Sequence, residues 1–291
     1  MGISRRKVLE TSQLLPVFPR IISEILHTID DPNFNFNSLV RHVGHDPVLT
    51  GRVFSMANRA ATHVQHDLQI KDLYKATSLV GVAKLQKMVI LAAMANHFKD
   101  ASEAGMPEEF WARSLATGIC AQHVAAFAGL SIDTALIAGI LHNVGKLWLL
   151  RFEPSAYREI LNRTADSGTL PPSQIERERF GVNHAVIGSW LGEIWSLPGQ
   201  ICEAIRHYED PYVANENPYA DVVHVAEVIG NALDLTRCGH SRVHHLSDAS
   251  CQRLGLIWDD SSDDLFGSIE ASIRLIDEAS LFPHPASGAG R

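Results

Sequence analysis

Cysteine is scarce: Cys120, Cys202, Cys238 and Cys251 are scattered over 291 residues with no CxxC pair. That scatter argues against a disulfide framework and reads as reduced thiols of a cytoplasmic protein. Positive charge is also short. With 25 Lys and Arg against 33 Asp and Glu, the formal charge is −8 and the pI is near 6.0. No basic stripe runs along the chain, which argues against a general nucleic-acid binder, because phosphate neutralisation needs a surplus of cations on one face. Long hydrophobic runs are missing as well. The most apolar stretch, MVILAAMA at 88–95, falls far short of the roughly 20 residues that cross a bilayer, so it is expected to be a buried helix, with no membrane partner. The N-terminal MGISRRKVLETSQLL begins with basic residues, but Glu10, Thr11, Ser12 and Gln13 interrupt what would be the apolar core of a signal peptide, so no export is expected. No alternating strand, Gly-rich phosphate loop, nucleophile elbow or Cys-His pair is recognisable, and no residue stands out as a nucleophile.

What is present is a period of 3.6. In VFPRIISEILHTI, residues Val17, Ile21, Ile22, Ile25, Leu26 and Ile29 make one apolar stripe, closed by Asp30-Asp31-Pro32. A second helix is expected from Asp46-Pro47, an acidic cap followed by a proline in the first turn. Residues 58–66 read as a loop, in which Asn58 satisfies backbone groups. Two more helices, at 71–79 and 82–97, are separated by Gly81 as a C-cap. DASEAGMPEEF is a polar connector with Gly105 and Pro107. After it, helices are expected at 110–127, 132–142, 154–165, 172–180, 184–194, 198–207 and 219–235, with Asn183 capping the fifth and Pro198 at the first position of the sixth. A last amphipathic helix is expected at 263–281, before a tail too poor in apolar residues to pack. The fold class is all-α, with divisions at 1–13 (an N-terminal extension), 14–105 (a helical subdomain), 106–236 (a helical core) and 237–291.

Four elements of the second half carry an imidazole or carboxylate where helices should converge: LHNVGK with His142, NHAVIGSWL with His184, AIRHYEDP with His207, and VHVAEVIGNAL with Glu227. His142 ends an apolar helix. Gly145 is expected to terminate the turn after it, letting Lys146 fold back toward the site. A lone buried histidine is more often a hydrogen-bonded core residue than a ligand. Glu227 lies beside the stripe Val222, Val223, Ala226, Ile229, Gly230 and Leu233 rather than within it. HSRVHH at 240–245 reads as a solvated loop. Trp111, Trp190 and Trp195 read as core.

The ordered motifs LPVFPRIISEIL, HDPVLTGRVFSMANRA, ATSLVGVAKLQKMVIL, FWARSLATG, IAGILHNVGK, ERFGVNHAVIGSWLGEIWSLPGQICEAIRHYEDP and VVHVAEVIGNAL resemble an HDOD domain over residues 14–235. That family is the non-hydrolytic relative of the HD and HD-GYP phosphohydrolases. The resemblance implies an N-terminal helical bundle packed on an HD-like helical core, and a bacterial signalling or regulatory role. It also implies that the metal ligands of active HD enzymes fall on Arg113, His142, Asn143 and Glu227, with His184 and His207 matching two further HD-GYP histidines.

Two of those four positions have changed chemistry. A guanidinium has no lone pair to give a metal, and Asn143 keeps a neutral carbonyl where a carboxylate would bind. The site of Arg113, His142, Asn143, Lys146, His184, His207 and Glu227 is therefore expected to be vestigial, with no cofactor. Arg113 is expected to replace the metal's positive charge and pair with Glu227, and Asn143 to bridge His142 to a backbone group. The function expected is a non-catalytic signal-transduction module that binds other signalling proteins of two-component or cyclic di-GMP networks. Its contact surfaces are expected in the bundle-to-core groove and the loops at 58–66 and 210–218. No receiver, GGDEF or EAL pattern is present, so a sensor is expected on a separate chain. The alternatives are a metal-dependent phosphohydrolase on His142, His184, His207 and Glu227, or a nucleotide sensor holding phosphate between Arg113, Lys146 and His207 without cleavage.

Overall fold

The computed structural model describes residues 2–15, 36–45, 47–62, 70–82, 84–86, 88–90, 108–167, 171–213, 217–235, 245–258 and 261–278. Among them there is no strand, and the protein is all-α. The chain divides into two compact units, Val17–Asp100 and a larger one made of Met1–Pro16 with Ala101–Arg291. The helix expected at 17–29, the part of the 82–97 helix beyond 90, the connector as far as 107, the 240–245 cluster up to 244 and the tail from 279 lie outside the described residues.

In the smaller unit, helix α2 (Phe36–His45) leads to α3 (Pro47–Thr62) and α4 (Leu73–Val80). Residues 58–62, read from sequence as loop, continue α3. Asn58 does hold backbone, but from a helix: its Oδ1 accepts from the Ile70 amide at 2.8 Å. Asp72 caps α4 by accepting from the Lys75 amide, and Gly81 closes it at φ 87°. Phe36 and Tyr74 meet edge to face at 5.3 Å.

The larger unit begins with a helix that the sequence reading took for a mere extension. Helix α1 (Arg5–Ser12) is capped by Ser4. The Ile3 amide donates to the Phe180 carbonyl, Arg5 pairs with Glu193 at 2.7 Å, Lys7 pairs with Glu153, and the Trp148 indole N–H donates to Thr11 Oγ1 at 2.9 Å. Polar residues in a short amphipathic segment therefore serve as docking contacts.

Then come α5 (Glu108–Phe127) and α6 (Ile132–Leu141), the latter capped by Ser131 and buried from Thr134 onward. A side chain on Gly139 would lie 2.7 Å from the Gly118 Cα. The bare backbones of these two helices touch there, and no larger residue fits without moving one of them. Helix α7 (Val144–Phe152) follows at once, a helix the periodicity did not reveal. Gly145 lies inside it rather than ending a turn. Its glycine answers to packing: an added Cβ would lie 1.9 Å from the His184 carbonyl oxygen. Residues 132–152 are apolar enough to cross a membrane by length and composition. They are instead broken at 142–143 and mostly buried in this core.

Helices α8 (Pro154–Ser167), α9 (Pro172–Phe180), α10 (His184–Ile194) and α11 (Gly199–His207) complete one side of the unit. Asn183 caps α10, its Oδ1 accepting from the Val186 amide. Pro198 is the N-cap of α11, in extended conformation at ψ 140°, so Gly199 takes the first helical position that Pro198 was expected to fill. A 3-10 turn (Pro211–Val213), α12 (Pro218–Ala232), α13 (Asp248–Arg253) and α14 (Ser261–Glu278) follow, with α12 packed on α5, α6 and α11. Burial pushes the Cys120 thiol up to about 12 and the Cys202 thiol to about 11, so both behave as small core residues.

Candidate functional site

The α6–α7 turn holds the centre of the site. His142 is fully buried, and its Nδ1 lies 2.5 Å from the Gly139 carbonyl oxygen. A carbonyl can only accept, so Nδ1 carries a proton and donates. The Nε2 lone pair is then aimed inward, the orientation a metal-binding histidine uses. Here it meets the Asn143 side-chain amide, which donates to it. Glu227 Oε1, from α12, is 3.7 Å from the same nitrogen.

Tyr208, just past the end of α11, occupies the opposite side. Its hydroxyl lies 3.3 Å from Asn143 Oδ1 and 2.6 Å from His184 Nε2. The one phenolic proton serves one of these two contacts. The His184 Nδ1–H is held by Glu176 Oε2 at 2.7 Å, and the same oxygen accepts the His184 backbone N–H at 2.7 Å. The ring of His184 thus lies between Glu176 on one side and Glu209 Oε1, 3.6 Å from Nε2, on the other. Glu209 is positioned by the Asn183 amide, which donates to it at 2.9 Å, and by Arg177 at 3.6 Å. Hydrogen bonds thus link His184, Tyr208, Asn143, His142 and the Gly139 carbonyl in one chain.

The electrostatics follow from burial and these partners. Burial pushes the Glu176 carboxyl up, but the charge and hydrogen bonds of His184, aided by Lys146, outweigh it and hold the group below the usual carboxylate range. Tyr208 is driven well above its ordinary value by burial, then by Glu209 and Glu227. Tyr157 on α8 is raised in the same way by burial and by Glu176. Its hydroxyl and Glu176 Oε1 are buried without a well-formed hydrogen bond.

Of the residues picked out from sequence, His142, Asn143, His184 and Glu227 come together around Tyr208. Lys146 contributes charge at longer range. Arg113, half-buried on α5, reaches Asn231 on α12, one turn beyond Glu227, with Nη1 3.3 Å from Oδ1. His207 does not enter: its Nε2 pairs with Glu203 one turn back on α11, at 3.2 Å. The helix turns the next residue, Tyr208, inward instead. The bridge expected from Asn143 to a backbone group is made to the Tyr208 hydroxyl. Sequence reasoning also missed Glu176, which sits in a charged run, QIERERF, that looks solvated. The available signal was its spacing: Ser173, Glu176 and Phe180 share one buried stripe at i, i+3 and i+7.

A divalent metal does not fit this donor set. The His142 lone pair is taken by an amide N–H, Arg113 brings a cation to the same helix face, and both ring nitrogens of His184 are engaged by Glu176 and the Tyr208 hydroxyl. Among the described residues no three His, Cys, Asp or Glu side chains converge as ligands, so the set His142, His184, His207 and Glu227 is not assembled.

The profile of the HDOD domain matches residues 15–211. The fold is similar to that of an HDOD domain protein of unknown function from Geobacter sulfurreducens, with TM-score 0.69 and 22% identity over 96% of this chain and 99% of the other. It is also similar to a protein from Shewanella amazonensis SB2B, named provisionally as a phosphohydrolase, with TM-score 0.63 and 22% identity over 94% and 95%. An uncharacterised protein of Treponema pallidum (strain Nichols) is 26% identical over 230 residues, 76% of this chain. The match spans 43% of that curated relative, less than half its length.

Proposed function

The chain belongs to the HDOD family, and from that premise we propose that it is a non-catalytic signal-transduction protein that acts by binding other signalling proteins. One observation carries the reading: the Asn143 amide donates to His142 Nε2. With aspartate at 143, two acceptors would face each other across that gap, and a metal ion or a proton would be needed between them. With asparagine, donor meets acceptor and the pair is complete without a cation. The guanidinium of Arg113, set on the face that carries Glu227, supplies positive charge where the enzymes use a metal.

A protein named provisionally as a phosphohydrolase shares this fold, and that favours one rival, a metal-dependent phosphodiesterase using His142 and Glu227. The experiment is elemental analysis of the untagged protein together with hydrolysis assays on cyclic di-GMP and a generic phosphodiester. The expected result is substoichiometric metal and no turnover. Stoichiometric metal that is lost in His142→Ala, with turnover in the parent, would overturn the proposal. The other rival, phosphate held between Arg113, Lys146 and His207, is weakened by the engagement of His207 with Glu203.

A further inference from the structure

Helix α12 carries four polar residues along one face, Asp221, His224, Glu227 and Asn231, and they serve two regions. Glu227 approaches His142 in the site. Asp221 and His224 hold the segment 245–258. His224 Nδ1 donates to the Tyr208 carbonyl at 2.9 Å, and its Nε2 accepts the Ser247 amide at 3.2 Å. Asp221, 4% exposed, receives a two-pronged bond from Arg253, at 2.8 and 2.6 Å. The Arg253 guanidinium also lies over the Tyr212 ring, 5.5 Å from its centre.

We propose that the segment 245–258 is a latch whose docking on α12 is coupled, through His224, to the hydrogen-bonded state of Tyr208 in the candidate site. Three features support this. Helix α13 has six residues, too few to persist in water on its own, so its helical form depends on the contacts that dock it. One neutral imidazole bonds the Tyr208 backbone and the Ser247 backbone at once, so the ring cannot follow one without straining its bond to the other. Tyr208 is the residue whose hydroxyl joins Asn143 to His184. A change at the site that shifts Tyr208 is therefore felt at Ser247, and release of the latch is felt at Asn143. Ile257 and Trp258, at 69% and 44% exposure, lie at the end of the same segment, where its state is readable from outside. The coupling rests on this geometry alone; its use as an output rests on the signalling role proposed above.

Coupling between two places is reciprocal, and that makes it testable. Hydrogen–deuterium exchange of the full chain is read at two ends: the amides of Cys251, Leu254 and Leu256 in the latch, and those of Lys146 and Tyr208 at the site. Tyr208→Phe removes the hydroxyl and perturbs the site end; Arg253→Lys keeps the charge but loses the two-pronged bond and perturbs the latch end. Each substitution is expected to speed exchange at the far end by about fivefold or more, with α5 and α6 unchanged. Faster exchange confined to the perturbed end in both variants would overturn the latch. If Tyr208→Phe loosens the whole unit, α5 and α6 included, Arg253→Lys decides alone. These readouts use neither metal nor turnover, so failure of the latch and failure of the signalling reading are told apart.

Discussion

Tyr157 and Tyr208 are both buried tyrosines of one unit, and the same substitution should treat them oppositely. Tyr208→Phe deletes a hydroxyl 2.6 Å from His184 Nε2 and 3.3 Å from Asn143 Oδ1. Both buried partners lose that contact. A buried polar group stripped of its hydrogen bond costs about 1–3 kcal/mol, and two are affected, so the expected loss is roughly 3 kcal/mol. Tyr157→Phe deletes a hydroxyl that lies close to a carboxylate without a well-formed hydrogen bond. Nothing well paired is lost and a desolvated polar group disappears, so the change should be within about 1 kcal/mol of neutral, in either direction. Urea denaturation of the two variants beside the parent is the assay, with the midpoint falling by roughly 1 M for Tyr208→Phe and hardly moving for Tyr157→Phe at an unchanged slope. Equal losses, or a larger loss for Tyr157→Phe, would refute the Tyr208 hydroxyl as the link between His184 and Asn143.

Other outcomes follow from the same geometry. Glu176 has a folded pKa below its ordinary value, so its contribution to stability is full above the unfolded carboxylate pKa and fades as pH falls through the lower folded one. Glu176→Gln should therefore cost most near neutral pH and progressively less below about pH 4.3, as read from urea midpoints taken across pH. Gly145→Ala sets a Cβ against the His184 carbonyl at 1.9 Å and should cost more than about 3 kcal/mol or abolish soluble expression. Gly51→Ala, inside α3 with open space around it, should raise stability by about 0.5–1 kcal/mol in the same assay. Asn143→Asp puts two acceptors face to face beside Glu227, and titration calorimetry with Mn²⁺ should show affinity about tenfold or more above that of the parent; unchanged affinity would count against the amide as the group that closes the site.

The sequence made the helical architecture legible wherever a cap or a clean stripe marked it. Asn183, Gly81 and the stretch 172–180 are cases where local chemistry alone sets the element. It failed where the cause is another part of the chain. VGKLWLLRF has no capping side chain, so α7 is built by burial of Leu147, Trp148 and Leu149 rather than by its own ends. Gly145 looked like a terminator because glycine often is one, and its true constraint, a carbonyl from α10, is not local. At the site, His142, Asn143, His184 and Glu227 were visible as residue types. The choice between His207 and Tyr208 was not, because one residue along a helix is a rotation of about 100°, and the packing of α11 on α10 and α12 sets that rotation.

The charge at the centre of the site can be followed to its conclusion. Three carboxylates, Glu176, Glu209 and Glu227, surround the Tyr208 ring and raise its pKa together with burial. Such a cluster needs compensating positive charge. Sequence reasoning paired Arg113 with Glu227 and named neither Glu176 nor Glu209. In the structure, His184 stands between Glu176 and Glu209 and, with Lys146, lowers the Glu176 carboxyl, and Arg113 approaches the Glu227 end of α12. Compensation is spread over three elements fixed to different helices, α10, α7 and α5. A diffusible ion can leave and be replaced, whereas a cation that is part of the chain holds its helix in place. Side chains from three helices thus meet over one set of carboxylates, and their charge ties α10, α7 and α5 to the helices that carry Glu176 and Glu227.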